Sequence, residues 1–146
     1  MRRIRRFLQW PNAKKQVLLR AFMIVVVVRI GLWCLPYKRL LSLLPSIRPT
    51  HNAITNDWKL INESIASVRL CSRFVPRATC LTQALATQVL LCRHGQASNL
   101  RIGVQRDSEK QFLAHAWVEV EGKIIIGKLQ DIHRFTVLIP SPGRPV

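Results

Sequence analysis

Cys80 and His115 are the residues whose types and spacing could do chemistry. Cys80 opens a helical pattern in Pro76-Arg77-Ala78-Thr79-Cys80-Leu81, and His115 follows in Leu113-Ala114-His115-Ala116-Trp117 after one intervening strand signal. A thiol at a helix start meets unsatisfied backbone N–H groups and the positive end of the helix dipole, and both favour the thiolate. Arg77 adds a positive charge nearby. The same N–H groups can donate to a tetrahedral oxyanion. An imidazole that reaches the sulfur then completes what a cysteine hydrolase or acyltransferase needs. A lone thiol is more often a small buried hydrophobe. The meeting of the two side chains decides between these.

A third group should orient the imidazole by accepting from its second nitrogen. In a hairpin turning at Glu121-Gly122, residues near Gly127 return alongside His115, and Gly127 has no side chain to offer. Asp131, just past that strand, is the best side-chain candidate, and a backbone carbonyl can serve instead. Glu119 shares the face of His115 but lies about 13 Å along the strand, at ~3.3 Å per residue.

The elements that must position these groups fall into two halves. Residues 16–33 form a long apolar helix candidate, and Pro36 must end it soon after. Leucines at 40, 41, 43 and 44 suggest a short helix stopped by Pro45, and 48–53 reads as a loop. Asn56 is a plausible N-cap for a helix with Trp58, Ile61, Ile65, Val68 and Ser72 on one face. Pro76 breaks that pattern and Thr79 caps the next helix. Its stripe is Leu81, Ala84, Leu85, Val89 and Cys92, and Gly95 is the terminator.

Strand alternation follows at 100–104, then a polar turn at 106–110, strands at 112–120 and 123–127, and a last short strand at 135–139. The fold class is α+β, helices first and an antiparallel sheet after. In 112–120, alternation puts Ala114, Ala116, Val118 and Val120 on the core face. His115, Trp117 and Glu119 take the other, where a cleft can form.

One domain is the size expectation for 146 residues. The chain carries 23 Lys+Arg against 7 Asp+Glu, a formal net charge of +16, which favours acidic partners. The basic residues are scattered and match no nucleic-acid motif, which argues against nucleic acid. Cys34, Cys71, Cys80 and Cys92 show neither CxxC nor Cys/His metal spacing, so no zinc site is expected. Cys34, Cys71 and Cys92 read as buried thiols of a reducing compartment.

The basic start and the apolar run after it have the order of a signal peptide or anchor. Arg20 and Arg29 interrupt the run, leaving no charge-free stretch of the ~18 residues that a spanning helix needs. The expectation is a cytoplasmic protein with a buried or partly amphipathic helix. Arg2, Arg3, Arg5, Arg6, Lys14 and Lys15 are suited to peripheral attachment to anionic lipid.

Several segments together resemble one family. They are Arg77-Ala78-Thr79-Cys80-Leu81-Thr82-Gln83-Ala84-Leu85-Ala86, Leu90-Leu91-Cys92-Arg93-His94-Gly95, Leu100-Arg101-Ile102-Gly103-Val104 and Ala114-His115-Ala116-Trp117-Val118-Glu119-Val120-Glu121-Gly122. In this order and spacing they are similar to the B2 proteins of lasso peptide biosynthesis, leader peptidases with a transglutaminase-like, papain-related fold. The resemblance runs from about Arg73 to Leu138, and the helical first half also looks like the N-terminal region of stand-alone B2 proteins.

The resemblance implies a 1–53 helical region and a 54–146 cysteine peptidase core, with Cys80 as nucleophile and His115 as general base. The implied substrate is a ribosomally made precursor peptide. A B1 leader-recognition protein would deliver it, and a separate ATP-using cyclase would close the ring. No metal or other cofactor is implied. Many members carry an aspartate where this chain has Gly127, which leaves the third position to Asp131 or a backbone carbonyl.

Overall fold

The computed structural model describes residues 12–34, 57–106 and 111–138. Helix α1 (Asn12–Cys34) contains the expected 16–33 run. The expected helix at 40–44 and loop at 48–53 lie outside the described residues. Helix α2 (Trp58–Ser72) is capped by Asp57, one residue beyond the expected Asn56. The Asp57 carboxylate accepts from Lys59 N at 2.9 Å and Leu60 N at 3.2 Å, a cap of the kind worth about 1 kcal/mol. Gln96 Oε1 takes the Asp57 N–H at 2.8 Å and so ties the start of α2 to the chain leaving the next helix.

A tight turn separates α2 from helix α3 (Cys80–Arg93). Ala78 N donates to Val75 O at 3.3 Å, and Arg77 sits at φ 56°. Proline second and a positive φ third mark a type II turn, whose third place glycine usually fills. Arg29 of α1 braces this turn, its Nε donating to Pro76 O at 3.3 Å. Thr79 then caps α3 as expected, its hydroxyl accepting from Thr82 N at 3.4 Å. At the far end Gly95 takes φ +68°. Gln96 N donates to Leu91 O and Gly95 N to Cys92 O, both at 2.9 Å, which is a Schellman stop.

Helix α3 is the centre of the fold. It is buried at Thr82, Leu90, Leu91 and the unbroken run Ala84, Leu85, Ala86 and Thr87. The single stripe expected from periodicity supplies only Ala84 and Leu85 of these. The reason is that α1 and α2 cover one side of α3 while the sheet covers another. Ala21, Ile24 and Val25 of α1 share one core with Ile61 and Val68 of α2, Leu91 of α3 and Val118 of the sheet.

The sheet is antiparallel, in the order β3-β2-β1-β4, from β1 (Asn99–Arg106), β2 (Phe112–Val120), β3 (Lys123–Ile126) and β4 (Thr136–Val137). β2 and β3 are joined by Glu121-Gly122, both at positive φ (50° and 75°), the signature of a type I′ hairpin. Of the polar turn between β1 and β2, residues 107–110 lie outside the described residues. β4 is shorter than expected and follows a 3₁₀ turn (Ile132–Arg134) that the sequence did not suggest.

Among the other thiols, Cys71 is buried and Cys92 half-buried, whereas Cys34 is exposed because it falls on the outward side of α1, the side of Met23 and Val27. Burial pushes the Cys71 thiol up, and its Sγ donates to Leu18 O at 3.6 Å. It is a packing thiol.

Candidate active site

Cys80 is the first residue of α3 and is half-buried against the core. The Thr79 cap takes the Thr82 N–H, and the Thr79 carbonyl takes Gln83 N at 3.1 Å. The N–H groups of Cys80 and Leu81 have no acceptor among the described residues, so two backbone donors remain beside the sulfur. These are the donors an oxyanion at this helix start would meet.

His115 lies on β2, half-buried on the face away from α3. Ala116, Val118 and Val120 point the other way into the core, as the alternation predicts, but Ala114, expected on the same face, is exposed and lines the cleft beside His115. The far face has a small apolar cluster of its own. Trp117 is 3% exposed there, Phe135 is also buried, and both rings pack near the imidazole, with centroids at 6.2 and 5.8 Å. Glu119 fixes the tryptophan. Its Oε1 accepts from Trp117 Nε1 at 2.8 Å, and its Oε2 accepts from Arg101 Nε at 3.1 Å. Glu119 therefore acts on the imidazole at one remove, through the ring that stacks beside it.

The partner of the imidazole is a backbone carbonyl. His115 Nε2 is 2.7 Å from Gly127 O. A carbonyl only accepts, so Nε2 carries the proton and Nδ1 is left with the free lone pair. Asp131 lines the same cleft of about 520 Å³ as His115, together with Leu129 and Phe135. Its carboxylate is largely exposed, lies 3.9 Å from Arg134 and makes no hydrogen bond to the imidazole.

A β-bulge delivers the carbonyl. Val118 pairs with Ile126 but Glu119 pairs with Ile124, so Ile125 is an extra residue in β3. The extra residue returns Ile126 to the core and carries Gly127 level with Trp117. Gly127 has φ +80°, and a Cβ there would stand 2.6 Å from Ala116 O. A side chain does not fit this backbone.

The structure thus brings His115 and Asp131 to one cleft, with the Gly127 carbonyl on the imidazole, and Cys80 does not line that cleft. Among the described residues no hydrogen bond joins Cys80 to His115. No group of three or more His, Cys, Asp or Glu is placed to hold a metal ion among them either.

A family profile described as the transglutaminase-like superfamily matches residues 22–140. The chain belongs to the transglutaminase-like superfamily. No curated protein and no solved structure matches it significantly. The transglutaminase-like match begins inside α1, consistent with the packing of that helix into the shared core. The superfamily usually includes cysteine hydrolases and transferases, whose chemistry suits a thiol at a helix start and a strand-borne imidazole.

Gly103 is a site residue that sequence reasoning passed over. A Cβ there would stand 2.9 Å from both Phe135 Cβ and Trp117 Cη2, so the ring lies directly over the β1 backbone. Glycine inside a strand is the available signal of such a close approach. Gly103→Ala should lower stability by about 1–3 kcal/mol through overpacking. Thermal unfolding followed by tryptophan fluorescence checks this, and an unchanged midpoint would show that the cluster is looser than drawn.

Proposed function

We propose that this transglutaminase-like domain is a cysteine peptidase that removes the leader from a ribosomally made lasso precursor peptide. It would act with a leader-binding B1 partner and before a separate cyclase closes the ring. The observation that carries the reading is the Gly127 carbonyl on His115 Nε2, which leaves Nδ1 as the base. The segments around Cys80 and His115 that resemble B2 proteins support the choice of substrate.

In the proposed reaction Cys80 loses its proton to His115 Nδ1 and attacks the scissile carbonyl. The N–H groups of Cys80 and Leu81 take the oxyanion. The imidazolium returns the proton to the leaving amine, and a thioester remains on Cys80. Nδ1 then deprotonates water, which attacks the thioester and releases the leader as a carboxylate. Sulfur and imidazole are not hydrogen-bonded in the free protein and His115 faces away from α3, so the proposed proton transfer requires a rearrangement that brings the imidazole to the helix start.

Incubating the protein with a precursor peptide and a B1 protein, then weighing the products by mass spectrometry, tests this. Release of a leader ending in a free carboxylate supports peptidase action. Transfer of the leader onto an added amine would move the assignment to acyl transfer.

The missing Cys80–His115 hydrogen bond favours a second reading, a non-catalytic basic protein that binds an acidic peptide. Iodoacetamide labelling separates the two. Under the peptidase reading Cys80 is alkylated well ahead of the exposed Cys34, with the sites read by peptide mapping. Equal rates favour the binding protein.

A further inference from the structure

Beyond its first turn, helix α1 has apolar residues on every side, with charge only at Arg20 and Arg29, yet it buries only one side. Ala21, Ile24 and Val25 face the core, at 0 to 7% exposure. The opposite arc carries Leu19, Met23, Val27, Ile30 and Trp33, with Val27 62% and Trp33 81% exposed. At about 100° per residue these five share one side of the helix, and Arg20 and Arg29 fall on its two opposite edges. The segment Lys15–Cys34 is also long and apolar enough to cross a membrane by length and composition. A helix hydrophobic all round is ordinarily enclosed on every side, by protein or by lipid.

We infer that the outward arc of α1 docks in the plane of an anionic phospholipid surface, with its inner face still on the core. Charge selects this occupant. The chain carries a net +16, and Arg2, Arg3, Arg5, Arg6, Lys14 and Lys15 precede or open the helix in sequence. Arg20 and Arg93 line the groove between α1 and α3, beside Met23 and Val27. Apolar residues edged by arginines, with an exposed tryptophan near one end, suit the boundary between headgroups and acyl chains. A second copy of the chain would bring the same positive charge against itself. Spanning would strip Ala21, Ile24 and Val25 from the core, break the Arg29–Pro76 bond and carry two arginines into lipid.

The full-length protein is sedimented with vesicles of phosphatidylcholine alone or phosphatidylcholine carrying phosphatidylglycerol, at low and high salt. Binding should require phosphatidylglycerol and weaken with salt. Val27→Glu should lower the vesicle affinity about 10-fold or more, while the charge-matched Lys59→Gln stays within about two-fold. Trp33→Phe should remove most of the blue shift in emission seen on binding.

Equal binding to neutral vesicles overturns the inference, as does unchanged binding by Val27→Glu. Retention of the protein in membranes after alkaline carbonate extraction would show a spanning helix and overturn it too. So would a fall in the thermal midpoint of free Val27→Glu, or its loss of self-association, because the arc would then be covered by the chain itself or by a second copy. The assay needs no substrate, and its failure leaves the peptidase proposal untouched.

Discussion

Cys80→Ala should leave the protein folded and lower peptide cleavage by about 10³-fold or more. The side chain is half-buried, so removing its sulfur opens at most a small gap at the edge of the core. The Thr79 cap, the turn at Pro76 and the two free N–H groups belong to the backbone and to neighbouring residues, and all survive the change. What is lost is the sulfur that the proposed reaction uses as its nucleophile. Cys71→Ala should behave in the opposite way. That thiol is buried, held protonated by desolvation and donates to Leu18 O between α2 and α1. Its loss costs stability and spares chemistry. Steady-state cleavage and thermal unfolding measured on both variants make the test. Full cleavage by Cys80→Ala would end the peptidase assignment.

Gly127→Asp should also inactivate, although it writes in the side chain that the resemblance to B2 proteins would lead one to expect there. A Cβ at this position meets Ala116 O at 2.6 Å and Trp117 Cβ at 2.9 Å, and the backbone sits at φ +80°. Left-handed strain and overpacking together should cost about 2–5 kcal/mol. The strand end must move to relieve them, and the carbonyl that accepts from His115 Nε2 moves with it. Gly127→Ala separates the causes, since it has the clash without the charge and should lose nearly as much. Asp131→Asn is the counterpart. If the carbonyl is the orienting group, cleavage by this variant stays within about two-fold, whereas a larger loss returns the role to the carboxylate. Circular dichroism melts and cleavage rates of the three variants decide the matter.

Much of this arrangement was legible in the sequence. Period-two alternation put His115 and Trp117 opposite Ala114, Ala116, Val118 and Val120, and the structure keeps that division except at Ala114, which is exposed. Thr79 and Gly95 marked the ends of α3 because caps are local chemistry. Elsewhere tertiary packing overrode local signals. One stripe on α3 was the natural expectation for a helix with one covered side, but this helix is covered on two. Glu121-Gly122 announced the hairpin, yet nothing in residues 123–127 announced the bulge at Ile125. Without the bulge, the backbone group facing the imidazole could not be named. The burial of Trp117 likewise depended on Gly103 of β1 and on Phe135, at the end of the 3₁₀ turn before β4, which cannot be paired with it by spacing alone.

The bulge has a consequence for how this protein can vary. Three residues separate the hairpin turn from Ile126, and the odd one among them decides which way everything after it points. Deleting Ile125 would turn Ile126 out of the core and swing the Gly127 carbonyl off the imidazole in a single step. Over this stretch, chain length is held more tightly than residue identity. Any relative that keeps a glycine carbonyl in this role should therefore keep the same count from the turn, whatever apolar residues fill the places between.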